Sequence, residues 1–154
     1  MTKNIYIALT LFVMASLPLQ DTHASGIAQT TTNKTMAPKT QARAFFVNLK
    51  NNDKVAKTFT VKFGIEGMKI APAGTSIPET GHFHLLVDAA PLTGDQLKNP
   101  IPADMKHIHF GKGQTETSLT LTPGKHTLQL VMGDGAHKLH NPPVMSDVIT
   151  VIVE

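Results

Sequence analysis

Eight histidines and no cysteine are what this chain of 154 residues offers to chemistry. The histidines are not scattered. His82-Phe83-His84 and His107-Ile108-His109 are two His-x-His pairs, followed by Asp134-Gly135-Ala136-His137-Lys138-Leu139-His140 and, a little later, Met145. Neutral imidazole is the commonest protein ligand for a transition metal. Without thiolates there can be no disulfide, cysteine-ligated zinc site, iron–sulfur cluster or thiol nucleophile. In Gly81-His82-Phe83-His84-Leu85-Leu86-Val87, a strand would place Phe83, Leu85 and Val87 on one face. His82 and His84 then share the opposite face, about 6.6 Å apart along the strand. The second pair repeats this, with Ile108 and Phe110 inward and His107 and His109 outward. If the two strands are neighbours, four outward imidazoles form one solvated patch, over which His137, His140 and Met145 can close. The expected metal ligands are therefore His82, His84, His107, His109, His137, His140 and Met145.

Copper is the expected ion, since imidazole suits Cu(II) and thioether suits Cu(I). Zinc in an all-histidine site is the alternative. Calcium and magnesium would need several carboxylates, and only Asp88, Asp104 and Asp134 lie near these histidines in sequence. Met68, Met105 and Met145 fall in or beside loops, where a thioether is free to ligate. Such a site should weaken as pH falls through about 6.5, because protonated imidazole cannot bind a metal. His126 is in phase with Leu128, Leu130 and Met132, which assigns it a structural role.

The elements that must position these residues read as short strands. Ala44 to Leu49, Thr58 to Phe63, His82 to Val87, His107 to Phe110, Thr117 to Leu121, Thr127 to Met132 and Val148 to Val153 make seven. Turn signals separate them, including Asn51-Asn52-Asp53 and Pro123-Gly124. The prolines of Pro91 to Asp104 allow no helix longer than a turn or two. Seven strands in about 110 residues suit an all-β, immunoglobulin-like antiparallel β-sandwich, with a small closed β-barrel as the alternative.

The first 42 residues are different. Lys3, the apolar stretch Ile5 to Leu19 and the small residues around Ala24 read as a signal peptide over residues 1–24. Residues 25–42, rich in Thr, Gln, Ala and Lys, read as a disordered leader, which leaves 43–154 as the domain. The chain would then be periplasmic or secreted, with no membrane span after cleavage. Outside Tyr6 there is no Tyr or Trp, and the lysines form no block. Both facts argue against nucleic-acid and sugar binding by aromatic stacking. Gly111-Lys112-Gly113-Gln114-Thr115 lacks the spacing of a phosphate loop. Ser76, Ser118 and Ser146 have no evident base partner.

Several phrases carry a family resemblance. They include Thr80-Gly81-His82-Phe83-His84-Leu85-Leu86, Pro100-Ile101-Pro102-Ala103-Asp104, His107-Ile108-His109-Phe110-Gly111, Pro123-Gly124-Lys125-His126-Thr127-Leu128, and His137 through Pro143. Over about residues 43–153 the chain resembles an exported bacterial family known as domain of unknown function 4399. The resemblance implies a periplasmic or secreted single domain and carries no activity. Members often have a further histidine where Phe83 stands, and its loss here leaves His82 and His84 as the working pair. The leading expectation is a non-enzymatic metal-binding protein for copper delivery, storage or tolerance. A second reading is an interaction module showing a face of structural histidines to another periplasmic or cell-envelope protein. A copper/zinc metalloenzyme is the third, resting on fold analogy alone.

Overall fold

The computed structural model describes residues 41–154. The segment read as a signal peptide and nearly all of the expected leader, with Tyr6 and Met36, lie outside the described residues. Within them the chain is nearly all β, as its alternation requires. The strands are β1 (Arg43–Phe46), β2 (Asp53–Val55), β3 (Thr58–Glu66), β4 (Lys69–Ile70), β5 (Thr80–Val87), β6 (His107–His109), β7 (Glu116–Thr120), β8 (Gly124–Gly133) and β9 (Ile149–Val153). The one helical element among them is a 3-10 turn, Gly94–Lys98.

These strands build two sheets stacked as a sandwich. One has the order β1-β3-β7. The other runs β2-β9-β8-β5-β4, with β6 also on β5, and curls into a half-barrel. Most pairings are antiparallel, but β2 runs parallel to β9 and β4 parallel to β5. Those two strands, of three and two residues, are the additions to the seven expected. They are too short to carry a period of their own.

Between the sheets lies the main core. Val61 and Phe63 of β3 and Leu119 of β7 meet Phe83, Leu85 and Val87 of β5, Leu128, Leu130 and Met132 of β8, and Val151 of β9. The inward faces of β3, β5 and β8 are the ones their alternation implies. The outer face of the larger sheet is not solvated, however. Leu86 and Val131 on that face pack beneath Leu92 and Ile101 in a second, smaller core, with Leu139 and Met145 against it. The segments between β5 and β6 and between β8 and β9 thus fold over the sheet as a partial third layer. All eight residues of β5 are buried. No helix among the described residues is long and apolar enough to cross a membrane.

Candidate metal site

His82 and His84 sit on the outer face of β5, in the phase expected. The expectation that they are solvated is corrected: His82 is 0% and His84 1% exposed. The covering segments put them under a roof. Antiparallel pairing of β5 with β6 sets His84 directly opposite His109 and Leu86 opposite His107. On the other side, β8 sets Gly133 opposite His82 and Val131 opposite His84.

Glycine makes room for the rings at two positions. A Cβ on Gly111 would stand 2.3 Å from Cε1 and 2.6 Å from Nε2 of His109. The His109 ring therefore lies back over a backbone that must be bare. A Cβ on Gly133 would come within 3.1 Å of His84 Nε2 and 3.4 Å of His137 Cα. A side chain there would fill the space between the sheet and the loop above it.

The loop above supplies His137. Asp134 folds this loop on itself, its Oδ1 accepting from the backbone N–H groups of Ala136 and Lys138, both at 2.8 Å. The Asp134 carbonyl accepts from the His137 N–H at 3.0 Å, and the His137 carbonyl accepts from Ile101 at 2.8 Å. His137 adopts φ +63°, the left-handed region that costs a non-glycine residue of order 1 kcal/mol or more. The surrounding bonds hold it there, and its ring is turned down onto the sheet.

Four imidazoles thereby converge. His84 Nε2 lies 3.2 Å from His82 Nε2, and His137 Nε2 lies 3.1 Å from His109 Nε2. Ring centroids across the two pairs are 4.9 Å for His82–His109, 5.0 Å for His82–His137, 5.0 Å for His84–His109 and 5.8 Å for His84–His137. Four donors about 2.0–2.1 Å from a tetrahedral ion stand roughly 3.3 Å from one another. Both Nε2 pairs are close to that edge length. His82, His84 and His109 by themselves offer ring nitrogens within 4.8 Å of one another, so they could hold a metal ion.

The electrostatics suit a cation. Burial, with the neighbouring His109 and His137 rings, pushes His82 down to about 4. Burial and the four surrounding histidines push His84 down to about 3. His109 is also lowered, by partial burial and by His137. Asp134 works the other way, favouring positive charge at His82. The inner pair is therefore neutral, with lone pairs available, well below neutral pH. One feature departs from a strongly built metal centre. Ligating histidines ordinarily donate the second ring N–H to an acceptor, but Nδ1 of His82 and of His84 has no partner among the described residues.

The remaining expected ligands lie elsewhere. His107 is on the same face but one pleat further along, and its Nδ1 is paired with Asp104 Oδ1 at 2.8 Å. Met145 bridges Val131, two strand spacings from His84, or about 10 Å of backbone separation. His140 makes no ring contact with the four and borders a separate cleft. His126 is structural, as expected: its Nδ1 pairs with Asp88 Oδ2 at 2.7 Å and its Nε2 donates to the Thr122 carbonyl at 2.8 Å. Gly111, Gly133 and Ile101 were not foreseen as parts of the site. The one signal for Gly111 is its position two residues after His109, which puts it on the same face.

The family described as domain of unknown function DUF4399 matches residues 61–154. The chain belongs to that family. No curated protein and no solved structure matches the chain. All four converging histidines of this DUF4399 chain fall inside the matched segment. Phe83 also lies within the segment but points away from the site, its ring 5.2 Å from that of Phe63 in the main core. Phe83 therefore lies on the face opposite the cluster.

Proposed function

We propose that this protein is a non-enzymatic metal-ion binder, and that it holds its ion among Nε2 of His82, His84, His109 and His137. The observation that carries the reading is the gathering of His82, His84 and His109 ring nitrogens within 4.8 Å of one another, two of them on buried, neutral rings, with His137 Nε2 reaching in to 3.1 Å from His109 Nε2. An all-imidazole set of borderline donors favours Cu(II) over the other divalent first-row ions by intrinsic affinity, while near-tetrahedral donor spacing suits Zn(II). Copper is the ion we assign, with zinc as the alternative.

The architecture supports exchange rather than permanent retention. His82 and His84 form a rigid floor on one strand, while His109 ends a strand and is exposed and His137 rides on a loop. An ion can thus enter and leave past the outer pair. Missing acceptors behind ligating imidazoles typically cost about 10–100-fold in affinity, and the inner pair lacks them. A moderate, accessible site fits delivery, storage or tolerance. Lys3, Ile5 to Leu19 and the Ala24 junction support export, and a cysteine-free chain is indifferent to an oxidising compartment.

Elemental analysis of untagged protein purified from the exported fraction tests this reading. About one equivalent of copper, lost in His84→Gln, is the expected result. Metal-free protein, or the same metal content in the variant, would leave the cluster as structural histidines beneath an interaction surface.

A further inference from the structure

His140 is a histidine that neither the four-imidazole cluster nor a hydrogen bond among the described residues accounts for. Its Nε2 is buried without a hydrogen-bond partner among the described residues. That nitrogen lies 3.1 Å from where a Cβ on Gly81 would stand, and Gly81 shares the core-side phase of Phe83, opposite His82 and His84. Burial lowers its pKa, against the pull of Asp134, so the ring is neutral. An unsatisfied buried polar group of this kind is destabilising unless something binds it.

His140 borders a cleft of about 310 Å³ at the end of the sandwich, together with Met68, Glu79, Asn141, Pro142 and Val144. Three methionines were candidates from sequence, and their positions separate them. Met105 is 94% exposed and Met145 packs in the second core. Met68, in the turn between β3 and β4, also packs against a core, the main one, but is the one of the three that shares a cleft with a histidine. The thioether is the soft donor of this cleft, and beside an imidazole it suits a soft monovalent d10 ion.

We infer that Met68 and His140 form a second, separate metal site that takes copper(I). This goes beyond the four-histidine reading and does not depend on it. The cleft lies toward the core side of β5, whereas the cluster lies on the outer side. The two sites divide by donor softness, with divalent ions to the four imidazoles and the monovalent ion to His140 and Met68.

Silver(I), which shares the charge and d10 configuration of copper(I) and is stable in air, is the probe. The protein is labelled with ¹³C at the methionine methyl groups and titrated with silver(I). The expected result is a saturable shift of the Met68 methyl at one equivalent, with the exposed Met105 methyl unmoved. His140→Gln should abolish that shift, and His84→Gln should leave it intact. The buried Met132 methyl reports whether each variant is folded. Should a variant fail that check, a histidine-detected NMR titration of the wild type decides, because His140 must move together with Met68. Parallel shifts of Met68 and Met105, or a Met68 shift that survives His140→Gln or moves without His140, would overturn the inference. A shift lost in His84→Gln with Met132 unchanged would overturn the separateness of the two sites.

Discussion

Lowering the pH should destabilise the metal-free domain through His82 and His84, and the size of the effect follows from their burial. In the unfolded chain each ring takes up a proton near pH 6.5, whereas in the fold His82 does so at about 4 and His84 at about 3. Above pH 6.5 both states are neutral and neither ring contributes. Below it the unfolded state binds protons that the folded state excludes, so stability falls with falling pH. The fall ends only when the folded rings also protonate. Each excluded proton costs about 1.4 kcal/mol per pH unit. From pH 6.5 to 5 the two rings together amount to roughly 3 kcal/mol, a large share of the about 5–15 kcal/mol that holds a domain together. The lowered His109 and His140 act in the same direction. Urea unfolding of metal-free protein at several values between pH 7.5 and 5, on wild type and His84→Gln, measures the effect. Removing one titrating ring should reduce the wild-type slope by about 1.4 kcal/mol per pH unit. A wild-type stability that is flat over this range, or a variant with the same slope, would mean that the rings are not buried as the structure has them.

Other consequences follow from the same geometry. Zn(II) affinity should fall less between pH 7.5 and 5.5 than free imidazoles titrating at 6.5 would allow, which calorimetry at the two pH values checks. Gly111→Ala should weaken Zn(II) binding by about tenfold or more by displacing the His109 ring, with little change in thermal midpoint. His126→Ala should cost about 1–3 kcal/mol through its lost bonds to Asp88 and Thr122 and leave metal affinity unchanged in the same assays. Because Asp88 raises the His126 pKa in the fold, that contribution is complete below pH 6.5 and fades as pH rises through the folded value. Phe83→Ala should cost about 3–5 kcal/mol and preserve metal stoichiometry if the protein is assayed at low temperature.

How much of this was legible in the sequence depends on what alternation can report. Period-2 patterning tells which residues share a face, and Phe83, Leu85 and Val87 do face the main core while His82 and His84 face away. Alternation does not report what covers the far face. The covering is built by Leu92 and Ile101, isolated apolar residues among prolines in a segment with no period, so the histidines read as solvated when they are buried. Pairing of the two His-x-His strands was a matter of register. A His84–His109 alignment leaves His107 opposite Leu86 and within reach of Asp104, so the strands share one pair plus one ring rather than four rings. His137 joins because Asp134 bends the loop and holds a left-handed residue, a tertiary arrangement that spacing alone cannot specify. The Asp-Gly-Ala-His-Lys run was nonetheless visible as a loop that could close over the sheet. His140 and Met145, counted with it, were close in sequence, but His140 turns to a separate cleft and Met145 stays on the outer face two strands away from His84, packed in the second core.

Calorimetric titration with Cu(II) and Zn(II) tests the central claim most directly, using wild type, His84→Gln, His109→Gln, His137→Gln and His107→Gln. One equivalent should bind to the wild type and to His107→Gln with equal affinity. His84→Gln should abolish binding, and His109→Gln and His137→Gln should each weaken it. Wild-type affinity in His84→Gln, or a loss confined to His107→Gln, would contradict the account and place the ion outside the four converging imidazoles.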